Sequence, residues 1–229
     1  MTDLHDNLDL DGSPSQAMQR YAAEVFRLQQ DHEQVSLSHL AEHVDSSPQA
    51  ISRMIKRLTD GGYADYEPYR GVRLTKDGER IAMPSLRRHR LSEVFLVQVM
   101  GYDWASAHDL TDLFERGINE ELEDRMSELT GHPTRCPHGE PIPSKEGVIS
   151  FPDDKPLVDQ EIGENFRLSR VRTHDMDKLR YIAKLGLTPG VEFSLVSRAP
   201  FRGPLRLQMD RSDQVIGYEL ASSMWVESI

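Results

Sequence analysis

The sequence predicts a mainly α chain with a small β part: an N-terminal winged helix-turn-helix, a helical dimerisation region and a C-terminal SH3-like β-barrel. Three observations carry that expectation. Helix, turn, helix and hairpin signals follow one another over residues 15–75, amphipathic helical stretches fill residues 81–129, and short strand-like runs surround one helical segment beyond residue 165.

The first helix starts after Ser15, where Met18, Tyr21, Ala22, Val25, Phe26 and Leu28 recur at spacings of three and four. It fades at Gln29-Gln30-Asp31. Leu37, Leu40, Ala41 and Val44 share one face of a shorter helix, and Asp45-Ser46-Ser47-Pro48 turns the chain into a third. Ser47 can cap it, and Pro48 takes the first helical position, where a missing N–H does no harm. That helix runs to about Thr59 and stops at Gly61-Gly62. Tyr63 to Glu67 and Val72 to Thr75 are two strands around Pro68-Tyr69-Arg70-Gly71, the wing.

Further helices are expected from Ile81 through Met100, from Trp104 to Arg116 and from Ile118 to Leu129. Their apolar surface exceeds what one small bundle buries, which points to a dimer interface. Residues 144–160 have the composition of a linker. Strands are expected at Phe166–Val171, Val191–Val196, Leu205–Met209, Val215–Glu219 and Met224–Val226, with a helix at Asp177–Leu185. The expected boundaries are a disordered tail over 1–14, a winged helix-turn-helix over 15–84, a helical dimerisation and metal-binding region over 85–143, a linker over 144–160 and an SH3-like domain over 161–229.

With 38% hydrophobic and 28% charged residues among 229, the chain can bury a core. It lacks the run of about 18 apolar residues that a membrane span needs. One cysteine, Cys136, and an acidic N-terminus without an apolar run fit a reducing cytoplasm. The net charge of −11 hides a segregation. Residues 35–90 hold ten basic and seven acidic side chains; residues 91–140 hold three and eleven. A polyanion reader joined to a cation sensor has this arrangement.

Ile51, Met54, Ile55 and Leu58 form the buried stripe of the third helix, leaving Gln49, Ser52, Arg53 and Lys56 on the other face beside the cap Ser47. Gln pairs with adenine edges, Arg with guanine or phosphate, and a capped helix N-terminus holds phosphate. Tyr69, Arg70 and Arg73 of the hairpin suit the neighbouring backbone or minor groove. A merely solvated helix face is the alternative; cap, basic face and wing in the right order favour double-stranded DNA.

His89 and Glu93 lie four apart on one helix, so they point the same way. His108 follows on the next helix, with Asp112 and Glu115 one and two turns further. The loop Cys136-Pro137-His138-Gly139-Glu140-Pro141-Ile142-Pro143 places a thiolate and an imidazole within reach of one ion and stiffens both with prolines. A thiol nucleophile with its base is the rival reading, although no oxyanion-hole or substrate motif accompanies it.

These residues together resemble the diphtheria-toxin-repressor and manganese-transport-regulator family of metal-dependent repressors, over nearly the whole chain. The resemblance rests on Leu40-Ala-Glu…Ser47…Met54-Ile-Lys-Arg-Leu58, the wing Tyr66-Glu-Pro-Tyr-Arg-Gly71 with Leu74-Thr-Lys-Asp-Gly78, Arg88-His-Arg-Leu-Ser-Glu93, the Cys136 loop and Leu185-Gly-Leu-Thr-Pro-Gly190. It implies a cytoplasmic homodimer that binds Mn(II) or Fe(II), with Zn(II) binding in vitro, and then an operator that it represses; it implies no enzyme activity. His89, Glu93 and His108 match the family's ancillary site, joined by Cys136 and His138 and by His174 or Asp175 from the C-terminal domain. Asp112 and Glu115 match two ligands of the primary site.

Two positions depart from that pattern. Arg116 stands where the family has a histidine, and Arg20 falls at the first-helix ligand position. Arginine stays protonated and ligates no cation. The expectation is that Arg116, and less directly Arg20, replaces part of the primary site by ion-pairing with Asp112 and Glu115. A winged-helix regulator answering to an organic ligand, and a metal- or thiol-dependent enzyme, are the competing functions.

Overall fold

The computed structural model describes residues 14–44, 46–173, 175–210 and 212–229. The expected N-terminal tail falls almost wholly outside these residues, as do Asp45 of the turn and His174. The chain divides into two compact units, one comprising the residues up to Arg88 with Pro143–Ile149, the other His89–Ile142 with Ser150–Ile229.

In the first unit, α1 (Gln16–Leu28), α2 (Leu37–His43) and α3 (Pro48–Asp60) precede an antiparallel hairpin of β1 (Ala64–Glu67) and β2 (Gly71–Leu74). Each helix starts on a serine. The hydroxyls of Ser15, Ser36 and Ser47 accept from the N–H groups of Met18, His39 and Ala50, satisfying donors that have no partner within the helix. Met18, Leu40, Ile51, Leu58 and Val72 are at most 1% exposed and form the centre of one apolar cluster. Truncating such a leucine to alanine typically costs about 2–5 kcal/mol.

The next helix, α4 (Lys76–Gln98), begins five residues before the expected Ile81. The Thr75 hydroxyl accepts from the Gly78 N–H, and Asp77 and Glu79 favour the first turn. Gly78 and the exposed Pro84 interrupt the apolar period there, which hides the true start. Gly78 is required for packing, since a Cβ would lie 1.8 Å from the Tyr63 carbonyl oxygen.

In the second unit, α5 (Trp104–Phe114) is capped by Asp103, which accepts from the Ala105 and Ser106 N–H groups. A single 3-10 turn (Glu115–Gly117) separates it from α6 (Glu120–Leu129), capped by Asn119. The expected helix Trp104–Arg116 therefore changes character in its last turn.

A six-stranded antiparallel sheet follows, in the order β3-β8-β4-β5-β6-β7. Its strands are β3 (Lys155–Pro156), β4 (Asn165–Val171), β5 (Glu192–Arg198), β6 (Leu205–Met209), β7 (Ser212–Ile216) and β8 (Met224–Ser228), with α7 (Met176–Lys184) after β4 and α8 (Tyr218–Ser222) before β8. The expected closed barrel is not formed among the described residues: β3 and β7 are free edges. The two-residue β3 ends on Pro156, which has no N–H with which to extend a ladder. The expected strand Val215–Glu219 also needs correction. It ends at Ile216, and Gly217 opens α8, whose Leu220 and Ala221 are buried. Phe166, Leu168, Leu195, Leu205 and Leu207 are fully buried on the inner face of the sheet.

Candidate metal centre

The second unit gathers five ligand-type side chains. His89 and Glu93 come from successive turns of α4, His108 from α5, and Cys136 and His138 from the loop before Pro143. Glu93 is the hub. Its Oε1 accepts from His108 Nδ1 at 2.8 Å and lies 3.5 Å from His89 Nε2, while its Oε2 lies 3.3 Å from His138 Nδ1. His138 Nδ1 is in turn 3.8 Å from the Cys136 sulfur. In each of the sets His89–Glu93–His108 and Glu93–Cys136–His138, one donor atom per residue lies within 4.8 Å of the others.

The loop is held from several sides. Its own backbone is closed by the Cys136 N–H donating to the Glu140 carbonyl at 2.9 Å and the Gly139 N–H to the Cys136 carbonyl at 2.9 Å. The Val171 N–H on β4 donates to the His138 carbonyl at 2.8 Å. Arg90 on α4 donates to the Pro141 carbonyl and to Glu140. Arg170, paired with the buried Asp154 at 2.8 and 2.9 Å, also reaches Glu140. Gly139 has φ +86°, and a Cβ there would lie 2.1 Å from the Ser169 carbonyl oxygen, so only glycine fits. The short motif Cys-Pro-His-Gly thus carries two candidate donors on a backbone packed tightly against β4.

Electrostatics set the protonation of the site. Burial alone would raise the Glu93 carboxyl, but the charge of His138 and hydrogen bonds from His108, His138 and His89 overturn that and hold it well below the usual carboxylate range. Burial pushes the Cys136 thiol well above its ordinary value, the Glu93 charge adds to this, and Arg90 opposes it. That direction disfavours the thiolate, the form in which a cysteine acts as a nucleophile. A cation held by these residues would supply the positive charge that a thiolate there requires. His138 Nε2, stacked with its ring against Trp104, is buried with no hydrogen-bond partner. A buried carboxylate among three imidazoles and a thiol, beside an unpaired ring nitrogen, is a donor set that fits a divalent transition metal.

The remaining candidates divide. Glu115 is buried, and its Oε2 accepts from His89 Nδ1 at 3.0 Å; the exposed Asp112 reaches the same nitrogen at 3.6 Å. The expected salt bridge from Arg116 is not formed among the described residues: Arg116 is exposed and the two carboxylates turn toward His89 instead. Arg20 is exposed on α1. Asp175 caps α7, accepting from the Asp177 and Lys178 N–H groups, and joins no cluster of donors among the described residues. The fixing roles of Arg90, Glu140, Arg170 and Asp154 escaped sequence reasoning because such pairs span 16–51 positions and carry no local signal.

In the first unit, Gln49, Ser52, Arg53 and Lys56 are exposed along α3, opposite the buried Ile51, Met54, Ile55 and Leu58, with Ser47 at its start. Lys56 pairs with Asp60 at 2.6 Å and Arg70 with Glu67 at 2.9 Å. Arg73 is exposed on β2. Tyr69 projects fully into solvent from the hairpin tip at φ +67°.

Comparison with known proteins accounts for the whole arrangement. Residues 15–72 match the N-terminal DNA binding domain of iron dependent repressors, residues 75–144 their metal binding and dimerisation domain, and residues 155–228 the FeoA domain. A manganese-dependent transcriptional repressor, solved in complex with manganese, is 30% identical, with a TM-score of 0.85 over 93% of this chain and all of that one. The chain belongs to the diphtheria-toxin-repressor and manganese-transport-regulator family. As a member it is a metal-dependent DNA-binding transcriptional repressor of the metal-homeostasis class, and not an enzyme. The diphtheria toxin repressor of Corynebacterium glutamicum is 23% identical over 219 residues, 91% of this chain and 95% of that protein. The iron-dependent repressor IdeR of Mycobacterium tuberculosis is 30% identical over 142 residues, 60% of this chain and 62% of IdeR. A T. acidophilum IdeR structure is 26% identical with a TM-score of 0.81, over 95% of this chain and 99% of that one. No described helix is long and apolar enough to cross a membrane.

Proposed function

We propose that this family member is a cytoplasmic homodimeric repressor that holds one regulatory ion per chain at His89, Glu93, His108, Cys136 and His138. The observation that carries the reading is Glu93, a fully buried carboxylate shared by three imidazoles. An ion there takes the place of the protons those rings donate, and supplies the charge that stabilises the Cys136 thiolate. Mn(II) is the favoured ion, by similarity to the manganese-bound relative, with Fe(II) next; the thiol and imidazoles give Zn(II) tight binding in vitro.

Glu115 acts on this ion indirectly. By accepting the Nδ1–H of His89 it fixes the tautomer whose Nε2 lone pair faces Glu93, the usual support of a metal-bound histidine. A neutral imidazole has one lone pair, so His89 serves one ion and not a second one at Asp112 and Glu115. The departure at Arg116 thus accompanies a conversion of primary-site carboxylates into supports.

Gln49, Ser52 and Arg53 on α3 enter the major groove, the cap Ser47 with the helix N-terminus, Lys56 and Arg73 bind phosphate, and Tyr69 and Arg70 meet the adjoining groove. A bulky side chain at φ +67° with nothing packed on it favours a tip that meets a ligand. Exposed Leu113, Leu122 and Leu129 on the second unit support a dimer, whose half-sites would lie about 34 Å apart on DNA. The five-part division expected from the sequence remains the preferred domain reading, with FeoA similarity supporting the C-terminal part, there as an open sheet and not a closed barrel. Because α4 runs unbroken from the wing to Glu93, an ion joining it to α5 and the Cys136 loop restrains the helix that follows the DNA-reading hairpin. Calorimetric titration of the metal-free protein with Mn(II) tests the reading: one equivalent per chain is expected, abolished by Glu93→Gln. Two equivalents of comparable affinity, one abolished by Asp112→Ala, would overturn it.

A further inference from the structure

The centre just described leaves three of the described histidines of the first unit unused: His32, His39 and His43. His39 and His43 lie four apart on α2, with Glu42 between them at a spacing of three, so all three share one side of the helix. One donor atom from each lies within 4.8 Å of the others. The rings of His39 and His43 stand edge to face at 5.0 Å between centroids, and His32 stands in the same way against His39 at 4.8 Å. Helical spacing brings His39, Glu42 and His43 together on a partly exposed surface, and His32, from outside the helix, adds a third imidazole beside them.

We propose that His39, Glu42 and His43 form a second transition-metal site, in the DNA-reading unit and independent of the Glu93 centre. The tautomers favour it. His43 Nδ1 lies 3.0 Å from the His39 backbone carbonyl and donates its hydrogen there, which leaves the lone pair on Nε2. A ring nitrogen tied to a carbonyl while the other ligates is the ordinary condition of a metal-bound histidine. Glu42 is exposed and contributes the negative charge that offsets part of an ion's. Two imidazoles and one carboxylate, with remaining positions open to water, suit borderline ions: Zn(II), Co(II), Ni(II) or Cu(II). The thiol-containing centre differs in chemistry, and the two sites share no residue. Because α2 directly precedes the recognition helix in the chain, the site gives the DNA-reading unit its own response to a borderline ion.

The test uses the full-length protein and Co(II) alone as probe. Equilibrium dialysis with elemental analysis counts bound ions, the near-ultraviolet thiolate-to-cobalt band reports the Cys136 centre, and histidine ring proton signals report α2. The parent is expected to bind two Co(II) per chain. His39→Asn with His43→Asn should remove one equivalent and leave the thiolate band intact; Cys136→Ser should remove the band and leave the paramagnetic shift of the His39 and His43 signals. Glu42→Gln changes one exposed atom and keeps the fold, so it covers the case in which the double variant unfolds; it should weaken the second equivalent about 10-fold or more. An unchanged Co(II) count in the double variant, unshifted His39 and His43 signals in the saturated parent, or parent affinity in Glu42→Gln would each overturn the proposal.

Discussion

Gly139→Ala isolates the contribution of the Cys136 loop. At φ +86° an added Cβ brings left-handed strain of about 1–2 kcal/mol. It would also sit 2.1 Å from the Ser169 carbonyl oxygen and 2.7 Å from the Arg170 Cα, both backbone atoms of β4. No side-chain rotation relieves that overlap, so the loop must move off the strand. Moving it breaks the 2.8 Å hydrogen bond from the Val171 N–H to the His138 carbonyl, at roughly 1–3 kcal/mol for the buried groups left unpaired. The total is about 3 kcal/mol, which for a chain of this size lowers Tm by roughly 6–12 °C. Because His138 and Cys136 move with the loop, metal affinity should fall at least tenfold.

Gly131→Ala supplies the control. Gly131 has φ +74°, yet a Cβ there meets nothing within 4 Å. It should cost only the conformational strain, about 1–2 kcal/mol, with metal affinity unchanged. Thermal unfolding of the metal-free variants by circular dichroism, followed by Mn(II) titration, measures both. Equal losses of Tm in the two variants, or parent metal affinity in Gly139→Ala, would refute the placement of the loop against β4.

Arg53→Ala should weaken binding to the preferred duplex by about 1–3 kcal/mol and relax sequence preference, whereas Lys56→Ala should weaken all duplexes alike and reduce the salt slope; competition binding at several salt concentrations separates them. Asp103→Ala should lower stability by about 1 kcal/mol at pH 7 through loss of the α5 cap. Hydrogen bonds from the Ser106 side chain and backbone lower the Asp103 pKa, so this contribution is present above the carboxyl's unfolded value and disappears as pH falls through the lower folded one; the parent–variant gap in Tm should close in acid. Glu115→Gln should weaken Mn(II) binding about 10–100-fold while leaving one equivalent per chain, since it disturbs the orientation of His89 and removes no ligand; calorimetry reads both quantities.

The winged helix was legible because its signals are local. Serine caps, Pro48, Gly61-Gly62 and the apolar stripe of α3 each act within a turn or two, and the helix bounds follow from them. The candidate metal cluster was legible for the same reason: His89 and Glu93 share a face by spacing, and Cys136 and His138 are paired by motif. What brings the two pairs together was not. Arg90, Arg170, Asp154 and Glu140 interact across tens of positions, and each alone reads as surface charge. Arg116 shows the converse failure, since a spacing of four from Asp112 permits an ion pair that the nearer His89 wins. The barrel expectation failed at its edges. Alternation identifies strands but not whether the first and last of them meet, and a two-residue β3 ending in proline offers little to pair.

The central claim is that an ion held around Glu93 controls DNA binding. Its most direct measurement is the affinity of the full-length protein for a fluorescent duplex, selected from a random pool by the Mn(II)-loaded protein, with and without Mn(II). Parent affinity should rise on Mn(II) addition by a factor of roughly 5–150, the usual span of coupling between two sites, and fall back on chelation. The Glu93→Gln, His108→Asn variant, folded by circular dichroism, should show no rise. A Mn(II)-driven rise of the same size in that variant, or a parent affinity indifferent to chelation, would contradict the account.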